Sequence, residues 1–172
     1  MTGTIPLVKF NNSDKQHRVI GVVSDTHSFL RPELPPLLEG SDHILHLGDV
    51  GDPDILGALA KIAPVTAIRG NIDTHGPCAL LPATEVVSIA GRDFYLLHNV
   101  QQLDLDPKAA GFVAVLYGHS HKPEIRRHKG VLYFNPGSCG PRRFSLPVTC
   151  GRITITADGQ MQPEILDLQI SV

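Results

Sequence analysis

Six apolar runs of strand length stop abruptly at residue types that bind metal ions. RVIGVV (18–23) ends at Ser24-Asp25-Thr26-His27, and HILHL (43–47) ends at Gly48-Asp49. VTAI (65–68) runs into Arg69-Gly70-Asn71, and FYLL (94–97) ends at His98-Asn99. AVLY (114–117) ends at Gly118-His119-Ser120-His121, and VLYF (131–134) ends at Asn135-Pro136-Gly137-Ser138. Strands that end on one side of a sheet bring their following loops together. In an open α/β sheet that side is where ligands bind. Two Asp, one Asn and four His delivered to one rim suffice to cage two ions rather than one.

The spacing between the runs sets the fold class. After the first run, LRPELPPLLEG reads as a short proline-interrupted helix closed by Gly40. Asp52 can cap a second helix, Pro53 suits its first turn, and ILGALAKI supplies its apolar face. A β–α–β–α–β pattern over roughly 18–68 predicts a parallel sheet with helical crossovers. The second half is richer in hairpins. TEVVSIA and RDFYLLH flank a turn at Gly91-Arg92, and PEIRRHKGVLYF folds about Lys129-Gly130. QQLDLDPKAAG reads as a helix, and VTCGRITITADGQMQPEILDLQI as further strands turning at Asp158-Gly159. The expectation is two sheets packed face to face with helices outside. Residues 1–16 read as a short extension prone to disorder, ahead of one domain over 17–172. A chain of 172 residues can bury a proper core in one unit.

Charge excludes some partners. A net charge of −2 with interspersed signs argues against dedicated binding of duplex nucleic acid or a membrane surface. No apolar stretch reaches the roughly 18 residues of a membrane span, and the N-terminus lacks a secretory pattern, so a cytoplasmic location is expected. Cys78, Cys139 and Cys150 are odd in number and lack C-x-x-C spacing, which suits a reducing compartment. Cys139 reads as a small, half-buried loop residue. Homo-oligomerisation is open.

The donor set points away from structural zinc, which would use thiolates and close at four ligands. Carboxylate, imidazole and amide oxygen mixed together suit an open catalytic site for manganese, iron or zinc. Asp25 and His27, two apart on an extended exit, would point the same way, as would His119 and His121. Asp49, on its tight Gly48-Asp49 turn, is the natural carboxylate to bridge two ions. Taken singly the motifs are weak, since Asp or Asn at a strand end commonly caps a helix or forms a turn. Their ordered recurrence after apolar runs carries the reading.

D-x-H, G-D, G-N, H and G-H-x-H in this order resemble the calcineurin-like metallophosphoesterases. S-D-T-H, R-G-N, G-H-S-H and N-P-G-S look like their small single-domain bacterial and archaeal phosphodiesterase branch. The resemblance spans about residues 18–155 and implies a four-layer αββα sandwich. It also implies hydrolysis of small phosphate esters, phosphodiesters first, by hydroxide activated at two metal ions and attacking in line on phosphorus. Manganese is the first choice, with nickel, zinc and iron as alternatives. By motif, Asp25, His27 and His121 would hold one ion, Asp49 would bridge, and Asn71, His98 and His119 would complete the second. Asp49, Asn71 and His98 would thereby serve catalysis directly.

Two positions depart from the family pattern. Ile72 stands where much of the superfamily has a histidine that can protonate a leaving group, a loss the small branch shares. Asn99 stands where Gly is usual, and Asn tolerates the left-handed backbone such a Gly would supply. Asn99, Arg69 and Arg142 are expected to contact substrate, arginine being the favoured partner of phosphate oxygens. Asn135 could support a ligand histidine or form the Asn-Pro-Gly turn. His46 reads as packing near the sheet, and Asp73 could pair with a nearby group. The rival expectation is a non-catalytic binding or scaffold protein that retains this fold, as retromer-type subunits with degraded ligand sets do.

Overall fold

The computed structural model describes residues 17–170. Among these, ten strands form two five-stranded sheets. The chain runs β1 (Arg18–Val23), α1 (Leu34–Leu38), β2 (His43–His46), α2 (Asp54–Ala60) and β3 (Val65–Ala67). It continues with β4 (Thr84–Ile89), β5 (Arg92–Leu97), β6 (Ala114–Leu116), β7 (Glu124–His128), β8 (Val131–Asn135), β9 (Thr149–Ile155) and β10 (Met161–Asp167). The first sheet has the order β10-β9-β1-β2-β3 and the second β4-β5-β6-β8-β7.

The six apolar runs become the six parallel strands. β1, β2 and β3 are mutually parallel, in register Val22↔Leu45 and Leu45↔Thr66. β5, β6 and β8 are likewise parallel, in register Tyr95↔Val115 and Val115↔Tyr133. Their continuous apolar character follows from burial on both faces. One face of each sheet fills the layer between them, where Ile20, Val22, Leu45, Phe94, Leu96, Leu116, Phe134 and Ile153 pack. The other face of the first sheet, through Val23 and Ile44, meets Leu34 and Leu38 of α1 and Ile55 and Leu59 of α2.

The outer layer over the second sheet departs from expectation. QQLDLDPKAAG forms no α-helix: a 3-10 turn at Val100–Gln102 and an irregular segment cover Tyr95, Val115 and Tyr133 with Val100, Leu103, Leu105 and Phe112. The Asp106 carboxylate accepts hydrogen bonds from the Lys108 and Ala109 amides (3.0 and 3.2 Å), and Ala110 donates to the Asp106 carbonyl (3.0 Å). A single turn therefore closes on itself and ends at Gly111 (φ 84°). The sandwich keeps its four layers, but the fourth is a loop.

Three smaller differences follow from register and pairing. The β4–β5 hairpin pairs Ile89 with Arg92, so its turn residues are Ala90 (φ 52°) and Gly91 (φ 71°), not Gly91-Arg92. The C-terminal strands do not extend the hairpin-rich half. β9 pairs antiparallel with β1 (Val22↔Gly151) and returns the chain to the first sheet. Cys139 is fully buried rather than half-buried and donates its thiol to the Ser24 carbonyl at 3.4 Å. Pro53, not Asp52, is the N-cap of α2; Asp52 lies one residue before it and accepts from the Asp54 amide at 2.9 Å. The expectation for residues 1–16 lies outside the described residues.

Candidate metal centre

Because the two parallel triplets point the same way, their six exits form one rim. The loops are bonded to one another before any side chain is considered. Asp25 and His27 donate their amides to the Gly48 and Asp49 carbonyls (both 3.0 Å), and Ser28 donates to Val50 (2.9 Å). Within the second sheet's exits Gly118 donates to the His98 carbonyl (2.9 Å), and across the sheets Cys139 donates to that of Ser24 (3.2 Å).

The backbone at the donors is not extended. Asp25 (φ 58°), His27 (47°), Asp49 (53°), His119 (70°) and His121 (59°) all occupy the left-handed region. The two-residue period of a strand therefore does not explain why Asp25 and His27, or His119 and His121, converge. They converge because each pair sits on a tight reversal held by the neighbouring loop. Asp and His are among the non-glycine residues that tolerate this conformation. Strain of about 1–3 kcal/mol per residue is the usual cost of such positions.

The seven sequence-derived donors meet. Asp25 Oδ1 lies 3.3 Å from His121 Nε2, 3.7 Å from His27 Nε2 and 3.9 Å from His98 Nε2. Asp49 Oδ2 lies 3.3 Å from His98 Nε2 and 3.5 Å from His27 Nε2. Asn71 Oδ1 is 3.1 Å from His98 Nε2 and 3.0 Å from His119 Nδ1. Asp25, His27 and His121 make one grouping compatible with an ion, and Asp25, Asp49 and His98 another.

Each carboxylate ties down one oxygen and presents the other. Asp25 Oδ2 accepts from Ser24 Oγ (2.6 Å) and the His119 amide (3.2 Å), whereas Oδ1 is buried and accepts no hydrogen bond. Asp49 Oδ1 accepts from the Ile72 amide at 3.0 Å, leaving Oδ2 toward the cage. His98 Nδ1 lies 2.7 Å from the Leu47 carbonyl. A carbonyl only accepts, so Nδ1 carries the proton and Nε2 is left with its lone pair toward the cage unless the ring is cationic. That lone pair then faces Asn71 Oδ1 and Asp49 Oδ2, which are also acceptors. These converging acceptors call for positive charge among them, which a proton on Nε2 or a cation supplies, and the mixed donor set fits divalent metal.

Titration follows the same crowding. Burial would raise the Asp25 carboxyl, but His121, His27 and Ser24 outweigh it and hold it well below the carboxylate range. Burial likewise opposes ionisation of Asp49, yet His98 and the Ile72 amide lower it. Burial pushes the His98 imidazole down, and Asp49 and Asp25 overcome this to raise it.

Supporting residues explain the motifs between the donors. Asp73 is buried and accepts from the amides of Val50 (3.1 Å), Gly51 (2.9 Å) and Gly70 (2.8 Å), fixing the Asp49 loop to the Asn71 loop. His46 is fully buried, with Nε2 3.0 Å from Thr26 Oγ1 and Nδ1 3.2 Å from the Gly48 amide; burial lowers its pKa to about 4 and keeps it neutral. Asn135 donates to the Gly118 carbonyl (2.9 Å) and Ser120 Oγ (3.1 Å) and accepts from Gly137 (2.9 Å), so it supports the histidine loop and forms the turn at once. A β-carbon at Gly70 would overlap Asp49, and one at Gly118 would overlap Ser24, which accounts for both glycines. Sequence reasoning missed Ser24, Thr26 and Ser138, whose hydroxyl donates to the Asp25 carbonyl at 3.0 Å. The S-D-T-H and N-P-G-S motifs contained them, but nothing in a sequence gives a hydroxyl's partner.

The expected substrate contacts fare unevenly. Asn99 is extended (φ −113°), so no left-handed residue is needed there, and its side chain accepts from the Gln101 amide at 3.0 Å. With Arg69, Thr84, Gln102 and Asp104 it lines a groove of about 470 Å³ that opens from Asn71, His98 and His119. Arg69 donates Nη1 to the Leu81 carbonyl at 3.0 Å, which fixes its guanidinium on that groove's edge. Arg142 belongs elsewhere: the loop after Gly140 carries it to a different groove with Asp167 and Gln169. Ile72 is 40% exposed and contributes its amide to Asp49, not a side chain.

A sequence profile of the calcineurin-like phosphoesterase superfamily domain matches residues 19–158. The chain belongs to that superfamily. A probable metallophosphoesterase of Methanocaldococcus jannaschii is 35% identical over 133 residues, covering 70% of this chain and 67% of the relative. Among solved structures, one described as a novel archaeal phosphodiesterase superposes with TM-score 0.71 at 23% identity, covering 86% of this chain and 99% of that one. Vacuolar protein sorting 29 of Cryptosporidium parvum superposes with TM-score 0.72 at 18% identity, covering 89% and 98%. At those identities the two structures establish the fold.

Proposed function

We propose that this protein is a phosphodiesterase that hydrolyses small phosphodiesters with the help of two divalent ions, manganese first. The single observation that carries the reading is Asp25 Oδ1, buried, without a hydrogen bond, and faced by three imidazole Nε2 atoms within 3.9 Å. Burying an unpaired carboxylate oxygen is costly, and a cation is the partner that would remove the cost. Asp25, His27 and His121 would hold one ion; Asn71, His98 and His119 would hold the other, with Asp49 between. Two such ions supply Lewis-acid chemistry, drawing a nucleophile from water near neutral pH and neutralising charge on the phosphoryl oxygens.

The chain's own residues set the geometry for that chemistry. The Ile72 amide fixes Asp49 so that Oδ2 points inward, and the Leu47 carbonyl fixes the His98 ring. The groove past Asn71 and His119 receives the organic arms of the ester, with Arg69 and Asn99 along its wall. Ile72 offers no proton, so esters with good leaving groups are favoured, general acid catalysis being worth typically 10²–10⁴-fold.

The likeness to vacuolar protein sorting 29 favours a second reading, a binding protein on the same fold. Completeness of the donor set weighs against it. The deciding experiment strips the metal and assays a phosphodiester and a phosphomonoester with manganese, nickel, zinc or magnesium added back. Activity restored by metal, greater on the diester, is expected. No activity with any metal would leave the binding reading standing.

A further inference from the structure

The opposite end of the sandwich carries a cavity that the metal chemistry does not use. β5, β6 and β8 begin where the rim loops are farthest away. β5 runs six residues from Arg92 to Leu97, roughly 17 Å end to end. Around these starts the Lys129-Gly130 and Asp158-Gly159 turns and the Asp106–Gly111 turn converge on a groove of about 600 Å³, a size typical of small-molecule sites. Arg92, Lys108, Arg127 and Lys129 line it, with no carboxylate among the lining residues.

These cations are placed, not merely nearby. The Arg92 guanidinium lies against Gly159, where a β-carbon would overlap Nη2, so the glycine leaves room for the arginine. Arg127 donates Nη2 to the Met161 carbonyl at 3.2 Å, which holds its guanidinium across the gap between the sheets. Nearby carboxylates stay anionic but bond within their own turns, outside the groove's lining. Asp106 feels Lys108 and Lys129, but its carboxylate is turned to the Lys108 and Ala109 amides. Asp93 and Asp158 accept from the Ser88 and Thr156 hydroxyls. In a chain whose net charge is −2, this groove is a local reversal of sign. Gly111 and Gly130 leave their turns open to it, with nothing within 4 Å of where a β-carbon would stand.

We propose that this groove is a second, non-catalytic site for a small oligoanion, a molecule carrying two or more linked phosphate groups. Two arginines suit paired phosphate oxygens, and two lysines add point charge. The four cations come from three segments, the start of β5, the Asp106–Gly111 turn and the β7–β8 hairpin, and so offer more positive charge than a single phosphate can balance. At physiological salt the Debye length of about 8 Å screens this end from the metal rim, so the two sites bind independently.

The test follows amide signals of ¹⁵N-labelled full-length protein while pyrophosphate or inorganic phosphate is added at constant ionic strength. Signals of Gly111, Gly130 and Gly159 are expected to shift, half-saturating at least tenfold lower in pyrophosphate than in phosphate. The double charge reversal Arg127→Glu, Lys129→Glu should raise the pyrophosphate half-saturation at least tenfold. Lys108→Ala, a change at an exposed position, should raise it severalfold and guards against misfolding of the double variant. Silent groove glycines, equal titrations by the two anions, or variants that titrate like wild type would overturn the proposal.

Discussion

The two ends of the sandwich use the same unusual backbone for opposite ends. At the hairpin end, left-handed residues come as adjacent pairs, Ala90-Gly91 and Lys129-Gly130, and serve to reverse a strand in two residues. At the rim they include His27-Ser28 and Gly48-Asp49, adjacent but outside any hairpin, with Asp25, His119 and His121, and five of these residues are candidate metal donors. The hairpin turns are favoured by their own two-residue sequence, whereas the rim residues are held by hydrogen bonds to a neighbouring loop. Local sequence preference decides one end and tertiary contact the other.

That contrast yields graded outcomes. The largest effect is expected at Gly70, whose β-carbon would overlap backbone and carboxylate of Asp49. Gly70→Ala should lower metal affinity at least ~100-fold and destabilise by about 3 kcal/mol, read by metal titration and urea unfolding. Intact binding would mean that the rim yields more easily than its bonding suggests. Asp73→Ala comes next. It leaves three amides without their acceptor, so a loss of about 2–3 kcal/mol and a ~10–100-fold drop in metal affinity are expected. The smallest effect carries the opposite sign. Ala90→Asn puts a left-handed-tolerant residue into the β4–β5 turn and should stabilise by about 0.5–1 kcal/mol while metal-dependent turnover stays unchanged. A change in turnover there would break the separation between the ends.

Much of this was legible in the sequence for a physical reason. A strand buried on both faces must be apolar throughout, so the six parallel strands announced themselves and their exits could be read as donors. β7 shows the converse: EIRRH is exposed along its whole length and only its turn reveals it. The left-handed donors were not legible, because Asp25 and His27 owe their conformation to the Gly48 and Asp49 carbonyls of a loop some twenty residues away. Asn99 misled similarly, since its role as acceptor for Gln101 removes any need for positive φ. The segment 101–111 has helical composition, but Asp106 spends its carboxylate on local amides and the turn closes too early. Arg142 follows a motif that is near the rim, and the loop beyond Gly140 simply leads away.

One consequence of the donor arrangement concerns adhesion more than chemistry. Asp25, His27, Asp49 and Asn71 follow strands of the first sheet, and His98, His119 and His121 follow strands of the second. An ion seated among them would be gripped by both halves of a sandwich that no single strand spans. Metal uptake and the closing of the two sheets would then be one equilibrium, with each ion acting as a rivet whose tightness is set by its free concentration.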